Sequence, residues 1–387
     1  MKVLTVIKTA DGAKWSVPMA EALIRRSHEV TYLLPRTRGA LPELAESRGI
    51  RVDLAGAPRE GRSVPAQLAG LVELRRQFEA FDPDVIVTHL YASALAARFA
   101  NILRPTPTIF MSAGPLYLEN HAILAAERLA WRMDSHIICS SAHLYARYRR
   151  LGVPRERLSV VPYGVDPKQF VPVTQPKREA ARSLLEIEPN ENVLLMCAMF
   201  YTPKRLVHRG AGIKGHEVVL AAWDRFKRQG GEGRLLLVGG GFGPGGERYR
   251  TLLKEQTLRR GIGGVEWVGP VADVRPYYYA ADASVSPSLS ENLGAPAEAS
   301  ALGIPSIGSD VGGIPEVVVD GWSGWLVPPG RPKELADTIG SAFGAGAAQL
   351  ALMGRRAAAR ARELLDLGEC TNAFADVVER VAGSHRP

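Results

Sequence analysis

The sequence predicts an α/β protein made of two doubly wound domains, each built on a parallel sheet. In the opening segment, a β-branched run at Val3–Ile7 precedes a glycine loop, a helical pattern over Trp15–Arg26 and a strand at His28–Leu34. Strand, helix and strand in this order form a βαβ unit, which implies parallel pairing. The same alternation begins again at Val193 after a proline-rich break, and 387 residues are too many for one ordinary core.

The first half of the chain alternates short apolar runs, which predict strands, with longer periodic stretches, which predict helices. After the opening unit, strands are predicted at Ile50–Leu54, Asp84–Thr88, Thr108–Met111, Asp134–Cys139 and Leu158–Val161. Helices are predicted at Ala66–Ala80, Ala92–Leu103, Ile123–Arg132 and Ser140–Leu151. Ligands of open α/β sheets bind beyond the carboxyl ends of the strands. Residues that directly follow a strand are therefore the first candidates for a site.

A proline-punctuated segment, Val171–Pro176, predicts the linker between the domains. Strands are then predicted at Val193–Ala198, Arg234–Val238, Val265–Val268, Ser284–Pro287, Ser306–Gly308 and Gly324–Val327. Helices are predicted at His216–Arg228, Arg248–Arg260 and Val274–Ala281, and from Glu334 to the C-terminus. The predicted domains are residues 1–170 and 171–370, and residues 371–387 are expected to form a helix that packs back toward the first domain.

Composition excludes several classes of protein. The longest apolar runs, such as Val193–Ala198, are far shorter than the roughly 20 residues that span a bilayer. The N-terminus resembles a strand and not a signal peptide. Three scattered cysteines predict neither a disulfide framework nor a metal site. We therefore expect a cytoplasmic protein.

The positive charge is concentrated in the first half of the chain. Residues 1–171 carry 23 Lys and Arg against 16 Asp and Glu, which is +7 of the total of +8. This excess predicts an anionic partner, either a phosphorylated substrate or a membrane surface. The alternative is that the charges only keep one face of the protein solvated. Nucleic acid is not a predicted partner, because no basic run is interleaved with aromatic residues.

Two carboxylates make the stretch Ala281–Gly330 the most informative part of the chain. Glu291 and Glu298 are separated by a segment broken by glycine and proline, and the pair Gly312–Gly313 follows. Carboxylates beside so many glycines predict a ligand with hydroxyls and a charged part that turn amides can bind. The simpler alternative is a surface loop that leads into a helix, with Glu298 as an ordinary acid of the first turn.

Two residues of the first domain lie where a ligand is expected. The loop that contains Gly12 has no G-x-G-x-x-G pattern, so dinucleotide binding is disfavoured. Gly12 either lets a ligand approach the end of the first strand or forms a simple turn. His89 lies just past the strand at Asp84–Thr88, although a single histidine is as often structural.

Four motifs occur in order along the chain. They are P-Y-G-V-D…F at Pro162–Phe170, A-A-D…E…E-A-S at Ala280–Ser300, G-I-P…G-G-I-P-E-V-V at Gly303–Val318 and D-G…G at Asp320–Gly324. Together they resemble family 4 of the retaining glycosyltransferases, the glycosyl transferases group 1, with Tyr163 in place of the usual Asn. The resemblance covers nearly the full length. It implies the GT-B fold, in which two facing Rossmann-like domains form an interdomain cleft.

The resemblance also implies a donor, a nucleotide-diphosphate sugar of the UDP or GDP type, that binds mainly to the C-terminal domain. Lys214 matches the family lysine that contacts the phosphates. Glu291 matches the glutamate at the hydroxyls of the transferred sugar, and Glu298 the one at the ribose hydroxyls. The backbone amides expected against the sugar and the phosphate are those of Asn292, Leu293 and Gly294.

In the first domain, Gly12 matches the family glycine that lets the donor phosphate and the acceptor come close. His89 resembles the histidine near the transferred sugar, so His89 and Glu291 are the catalytic candidates. The resemblance suggests a front-face reaction in which the departing phosphate oxygen takes the acceptor's proton. It implies neither a metal ion nor a cofactor.

The sequence departs from the family at three places. Six residues, 292–297, separate the two glutamates, where the family has seven. The family's phosphate-binding arginine is absent from Ala198–Phe200, and we predict that Lys204 or Arg205 of the following insertion replaces it. Gly239–Gly246 is richer in glycine than the family pattern, and it is interpreted either as a loop over the nucleotide or as a plain turn.

The acceptor is expected on the N-terminal domain, near Trp15, Tyr91 and Tyr117. A hydroxyl-bearing glycan, a lipid-linked and phosphorylated glycan at the membrane, and a small natural product all remain open. A basic N-terminal half fits peripheral contact with the membrane. Two other functions are considered, a nucleotide-sugar 2-epimerase of the same fold and a non-catalytic sugar-nucleotide-binding partner.

Overall fold

The computed structural model describes residues 1–37, 39–55, 64–103, 105–203 and 208–384. The chain divides into two units, one of residues 1–164 together with the chain from Leu367 onward, and one of Val165–Asp366. From the sequence, the domain boundaries were predicted after residues 170 and 370. The first one lies earlier because Val165 pairs with Asp366, and its amide donates to the carbonyl of Leu365 at 2.7 Å.

Unit 1 contains a parallel sheet with the strand order β3-β2-β1-β4-β5-β6-β7. Its strands are β1 (Lys2–Ile7), β2 (Glu29–Pro35), β3 (Arg51–Ala55), β4 (Val85–His89), β5 (Thr108–Ser112), β6 (His136–Cys139) and β7 (Leu158–Val160). Its helices are α1 (Ser16–Arg25), α2 (Ala40–Ser47), α3 (Val64–Phe81), α4 (Tyr91–Ala100), α5 (His121–Ala130) and α6 (Ala142–Arg150). Every residue of β4 and β5 is buried, as expected for strands covered on both faces.

The last helix of the chain, Leu367–Gly383, belongs to unit 1. Phe374 and Val378 of this helix lie in the same apolar cluster as Ile7 and Leu23. Arg26 Nη1 forms ion pairs with Asp376 at 2.6 Å and with Glu379 at 2.9 Å. The C-terminal helix therefore completes the core of the N-terminal sheet.

Unit 2 contains a second parallel sheet with the strand order β10-β9-β8-β11-β12-β13. Its strands are β8 (Val193–Cys197), β9 (Arg234–Val238), β10 (Val265–Gly269), β11 (Ala283–Ser286), β12 (Ser306–Ser309) and β13 (Gly324–Val327). Its helices are α7 (Gln175–Leu184), α8 (His216–Arg228), α9 (Gly243–Arg259), α10 (Arg275–Ala280), α11 (Gly294–Ala301), α12 (Ile314–Val317), α13 (Pro332–Gly344) and α14 (Gly346–Leu365). The C-terminal helix of unit 1 is α15.

The structure confirms two Rossmann-like α/β units and corrects two local predictions. Pro176, taken as part of the linker, lies in the first turn of α7, where a missing amide proton is tolerated. Gly243 within the glycine-rich segment Gly239–Gly246 begins α9, so the second half of this segment is the start of a helix. A Cβ at Gly246 would overlap the carbonyl oxygen of Phe200, which explains the need for glycine there. Among the described helices, none has both the length and the apolar character needed to cross a membrane.

Candidate functional site

Two loops of unit 2 meet at the carboxyl end of its sheet. The loop before α8 contains Lys214, and the loop after β11 contains Glu291. The amide of Leu289 donates to the carbonyl of Ile213 at 2.8 Å, which joins the loops directly. Gly215 has a φ of 74°, and a Cβ there would overlap the carbonyl oxygen of Pro287. The close approach of the two loops therefore requires glycine at this position.

Lys214 and Glu291 form an ion pair across these loops. The ammonium of Lys214 donates to Oε2 of Glu291, which also accepts from the hydroxyl of Ser288 at 3.2 Å. Oε1 of Glu291 accepts from the amide of Asn292 at 3.1 Å. The Glu291 carboxylate is thus held by three donors in a fixed orientation.

The ion pair is only partly accessible to solvent. The side chain of Lys214 is 20% exposed and that of Glu291 is 9% exposed. Burial opposes the charge of Lys214, but the neighbouring Glu291 carboxylate outweighs it and raises the pKa of Lys214. The ammonium therefore stays charged.

Two further glycines keep the backbone around Glu291 accessible. Gly294 has a φ of 49°, and a Cβ there would lie 2.9 Å from the carboxyl carbon of Glu291. A Cβ at Gly312 would overlap the carbonyl oxygen of Glu291. Because α11 begins at Gly294, the positive end of its dipole faces this region.

Glu298 lies on α11, in its second turn, and is half-buried. Burial raises the pKa of Glu298, while a hydrogen bond from the Tyr278 hydroxyl, 3.3 Å from Oε2, opposes that rise. The segment between Glu291 and Glu298 is one residue shorter than in the family. Gly294 accommodates this difference, because its left-handed conformation turns the chain directly into the helix.

Two buried polar atoms at the carboxyl ends of β11 and β12 have no hydrogen-bond partner among the described residues, the Asn292 Oδ1 and the Ser309 Oγ. Ser309 is the last residue of β12 and was not predicted as a site residue. Only its place at a strand end could have indicated it. Buried polar atoms in native proteins are nearly always paired, so these two atoms are suited to a ligand.

Within Ala198–Phe200, the segment that lacks the family arginine, Met199 is exposed and Phe200 packs in the core of unit 2. Phe200 is buried, and its ring stacks on His216 at a centroid distance of 3.7 Å. Burial lowers the pKa of His216 to about 3, so this histidine is neutral. The predicted replacements, Lys204 and Arg205, lie outside the described residues.

In unit 1, the loop after β1 folds back on Thr9. The Thr9 Oγ1 accepts from the amides of Asp11 and Gly12, each at 3.2 Å. Gly12 has no positive φ, and a Cβ there would meet only the Thr9 side chain, with Cγ2 at 3.3 Å and Oγ1 at 3.7 Å. Gly39 makes the closer approach, because a Cβ there would overlap the carbonyl oxygen of Ala10.

His89 is the last residue of β4 and is buried. Its Nδ1 has no hydrogen-bond partner among the described residues. Burial lowers the pKa of His89 to about 3, so the imidazole is neutral at physiological pH. Such a group can hydrogen-bond to a hydroxyl, but it is a poor proton acceptor.

The three aromatic acceptor candidates fall into two groups. Tyr91 and Tyr117 stack with a centroid distance of 4.6 Å and an interplanar angle of 11°, and Trp15 instead contacts the ring of Tyr163 at 5.2 Å. The Tyr117 hydroxyl lies 2.8 Å from the Ser112 hydroxyl. Its hydrogen-bonding capacity is therefore already partly used within the fold.

A buried charged cluster, which the sequence analysis did not identify, supports these tyrosines. Arg98 binds Glu127 at 2.7 Å and Asp134 at 2.5 Å, and all three side chains have no exposed surface. The Tyr148 hydroxyl links Glu127, at 3.0 Å, to the Tyr117 hydroxyl, at 2.6 Å. An arginine inside an alanine-rich helix gave no signal of this role.

No group of three or more His, Cys, Asp or Glu side chains that could hold a metal ion occurs within the described ranges. The features that remain at the carboxyl edge of the second sheet are a partly exposed lysine, a fixed carboxylate, glycine-lined backbone and a helix N-terminus. Fold and site together define an α/β protein of the class whose ligand sites lie beyond the carboxyl ends of parallel strands.

Comparison with known proteins specifies this class further. Residues 16–164 match a family model described as glycosyl transferase 4-like domain, and residues 203–344 match one described as glycosyl transferases group 1. A D-inositol 3-phosphate glycosyltransferase from Nocardia farcinica is 35% identical over 369 residues, which cover 88% of this chain and 78% of that protein. The chain belongs to the group 1 glycosyltransferases and is a transferase.

Other relatives and solved structures agree. A D-inositol 3-phosphate glycosyltransferase from Xylanimonas cellulosilytica is 27% identical over 84% of this chain and 81% of its own length. The Anabaena protein Alr3699/HepE, solved with UDP and glucose, superposes with a TM-score of 0.80 at 20% identity, over 98% of this chain and 99% of its own. A sucrose-phosphate synthase from Thermosynechococcus elongatus has a TM-score of 0.79 at 19% identity, over 99% of this chain and 100% of its own. These likenesses show the GT-B fold.

Proposed function

We propose that this glycosyltransferase moves a hexosyl unit from a nucleotide-diphosphate sugar to an acceptor hydroxyl, with retention of anomeric configuration. The Lys214–Glu291 ion pair, set among glycines at the strand ends of unit 2, is the observation that carries the proposal. It offers one cation for a diphosphate and one carboxylate for sugar hydroxyls, side by side.

The donor's diphosphate binds at Lys214 and at the start of α11. An ammonium and helical amides stabilise the charge that grows on the leaving phosphate. The Ser309 hydroxyl and the Asn292 side-chain oxygen, both unpaired and buried, offer further polar contacts to the donor. Because Lys214 supplies positive charge at this point, we propose a reaction that needs no metal ion.

The two glutamates bind the two sugar rings of the donor. Glu291 accepts hydrogen bonds from the hydroxyls of the transferred hexose, and Glu298 accepts them from the ribose. Glu298 is prepared for this by Tyr278, which fixes Oε2 and leaves Oε1 for the ligand. UDP is the first nucleotide to test, because Alr3699/HepE was solved with UDP.

In the proposed mechanism no protein side chain acts as a strong base, and retention follows because the acceptor attacks the face that the phosphate leaves. The imidazole of His89 is neutral and buried, with its pKa lowered to about 3, so it is assigned to hydrogen bonding and not to deprotonation. The departing phosphate oxygen then accepts the acceptor's proton on the same face of the sugar.

The proposed acceptor is a phosphorylated polyol, bound by unit 1. Two relatives are named for D-inositol 3-phosphate, and that compound is the first acceptor to test. The charge of +7 on residues 1–171 favours an anionic acceptor. A phosphorylated lipid at a membrane surface offers the same chemistry, and vesicles that carry such a lipid form the second arm of the test.

Donor binding is tested by thermal shift with nucleoside diphosphates and their sugars. A ligand at 100 times its Kd stabilises a protein by about 2.7 kcal/mol. We expect a shift with UDP or GDP and its sugars in the wild type, and a much smaller one in Lys214→Ala. The control is Arg259→Gln, which removes an exposed positive charge from α9. A shift with none of these nucleotides would contradict the proposal.

Measurements of turnover distinguish the proposed transferase from the two other functions, the 2-epimerase and the non-catalytic partner. The family and its named relatives favour neither of these two. With donor and acceptor together, we expect a glycoside whose anomeric proton coupling in NMR shows the donor's configuration. Epimerised sugar from the donor alone would indicate the epimerase. Donor binding without turnover on any acceptor would indicate the non-catalytic partner.

A further inference from the structure

Unit 2 contains a cavity of about 660 Å³ at the edge of the sheet opposite the candidate site. Its walls come from Pro172–Gln175, from the turn Gly303–Pro305 and from one face of α14. Ala281 and Asp282, which precede β11, also line it, whereas Glu291 follows the same strand. Its volume is within the range of 300–1,000 Å³ that is typical of small-molecule pockets.

At one wall of this cavity, α14 packs closely against the turn that follows α11. A Cβ at Gly354 of α14 would overlap the carbonyl oxygen of Gly303, so the two backbones are in direct contact there. Beside this contact, α14 presents alanines at 347, 351 and 358, whose small side chains leave space unfilled. Leu302 and Leu350 extend the apolar wall.

Two arginines line the otherwise apolar wall of α14. Arg355 and Arg362 are seven residues apart, which places both on the cavity side of the helix, about 10 Å from each other. Both are exposed, and neither has an ion pair or a hydrogen bond to another described residue. An unpaired guanidinium beside an apolar cavity is suited to an anion.

The other arginines nearby are engaged within the protein. Arg356 lies over the Trp322 ring at 5.5 Å, and Arg360 Nε donates to the Glu316 carbonyl at 2.5 Å. Arg178, which also lines the cavity, forms an ion pair with Asp282 at 2.5 Å. Among the described arginines that line this cavity, Arg355 and Arg362 are therefore the two without a protein partner.

We propose that this cavity binds an organic anion with an apolar body, of the chemical class of a monoalkyl phosphate. The phosphate binds Arg355 and Arg362 at the rim, and the alkyl part fills the space beside Ala351 and Leu302. The site is separate from the proposed donor site, and it does not depend on the function proposed above.

The test uses n-hexyl phosphate as the probe, with the full-length protein in isothermal titration calorimetry. We expect saturable binding to the wild type and at least tenfold weaker binding to the variant Arg355→Gln/Arg362→Gln. Arg259→Gln is the charge-matched control and should bind as the wild type does. Ala351→Phe, which fills the cavity while keeping both arginines, should also weaken binding at least tenfold.

Further measurements distinguish binding of hexyl phosphate in this cavity from binding at the donor site and from binding of the phosphate group alone. Lys214→Ala should bind hexyl phosphate as the wild type does, and inorganic phosphate should bind at least tenfold more weakly than the probe. Binding that is lost in Lys214→Ala but kept in the double arginine variant would overturn the proposal. Equal affinity for inorganic phosphate would also overturn it, because the apolar wall would then contribute nothing. Thermal unfolding confirms that each variant is folded.

Discussion

Gly312 lies directly against the backbone of Glu291, so that a Cβ at residue 312 would overlap the Glu291 carbonyl oxygen. The φ of Gly312 is 57°, a conformation that also disfavours any side chain. Two segments that are 21 residues apart in the sequence are thereby fixed in one place. Gly312, which follows β12, thus positions the loop after β11 that carries the Glu291 carboxylate.

Gly312→Ala is therefore expected to displace the Glu291 loop. We expect a loss of stability of about 1–3 kcal/mol from the strained backbone, and a loss of nucleotide-sugar binding that is larger than the stability change explains. Gly340→Ala is the matched control, because it lies in α13 and a Cβ there would meet no atom within 4 Å. Urea unfolding and calorimetry measure both effects, and wild-type donor affinity in Gly312→Ala would contradict this interpretation.

Lys214→Ala removes the proposed diphosphate contact and leaves the Glu291 carboxylate without its ionic partner. We expect UDP affinity to fall about 100-fold, or about 2.7 kcal/mol, together with a loss of stability. The double variant Lys214→Ala/Glu291→Gln should recover stability, because no unpaired charge remains, but it should not recover UDP affinity. Recovery of both would mean that Lys214 acts only by pairing with Glu291.

Glu298→Gln tests the proposed ribose contact. The amide retains an oxygen to accept from the Tyr278 hydroxyl, so the fold should be kept. We expect UDP to bind about tenfold more weakly, or about 1.4 kcal/mol, while pyrophosphate binds as it does to the wild type. Glu291→Gln should show the opposite selectivity, with UDP little affected and the UDP-sugar weakened. Equal losses for UDP and pyrophosphate in Glu298→Gln would contradict the ribose assignment.

Most of the fold was predictable because local signals agreed with the tertiary structure. Apolar β-branched runs such as Val3–Ile7 coincide with buried central strands, and both sheets are confirmed. The helix α7 was missed because its first turn contains Pro176, which local chemistry allows equally in a linker and at a helix start. Helix α2 was also missed, in a segment for which no element was predicted.

The residues of the candidate site could be predicted from the sequence, but the contacts between them could not. Lys214 and Glu291 were each assigned from a motif, yet their ion pair joins residues that are 77 positions apart, which periodicity cannot show. Gly39 was overlooked for a similar reason, because its need for glycine comes from Ala10 on another loop. Long-range partners of this kind depend on the packed structure and leave no local pattern.

The buried cluster in unit 1 leads to a prediction about pH. Arg98 provides one positive charge for two buried carboxylates, Glu127 and Asp134. Burial raises the pKa of Asp134 to about 6, although Arg98 opposes the rise. An unfolded chain ionises Asp at a pKa of about 3.9. Between about pH 4 and pH 6 the folded protein therefore holds more protons than the unfolded chain, and Asp134 makes stability fall as the pH rises.

Asp134→Asn removes this titration. We expect the stability of the wild type, relative to the variant, to decrease from pH 4 to pH 6 and to stay constant above about pH 7. Urea unfolding at each pH, followed by tryptophan fluorescence, measures the difference. Glu255→Gln, an exposed acid on α9, is the control and should show no such trend. A difference between wild type and Asp134→Asn that is constant from pH 4 to pH 6 would mean that Arg98 keeps Asp134 ionised throughout, despite its burial.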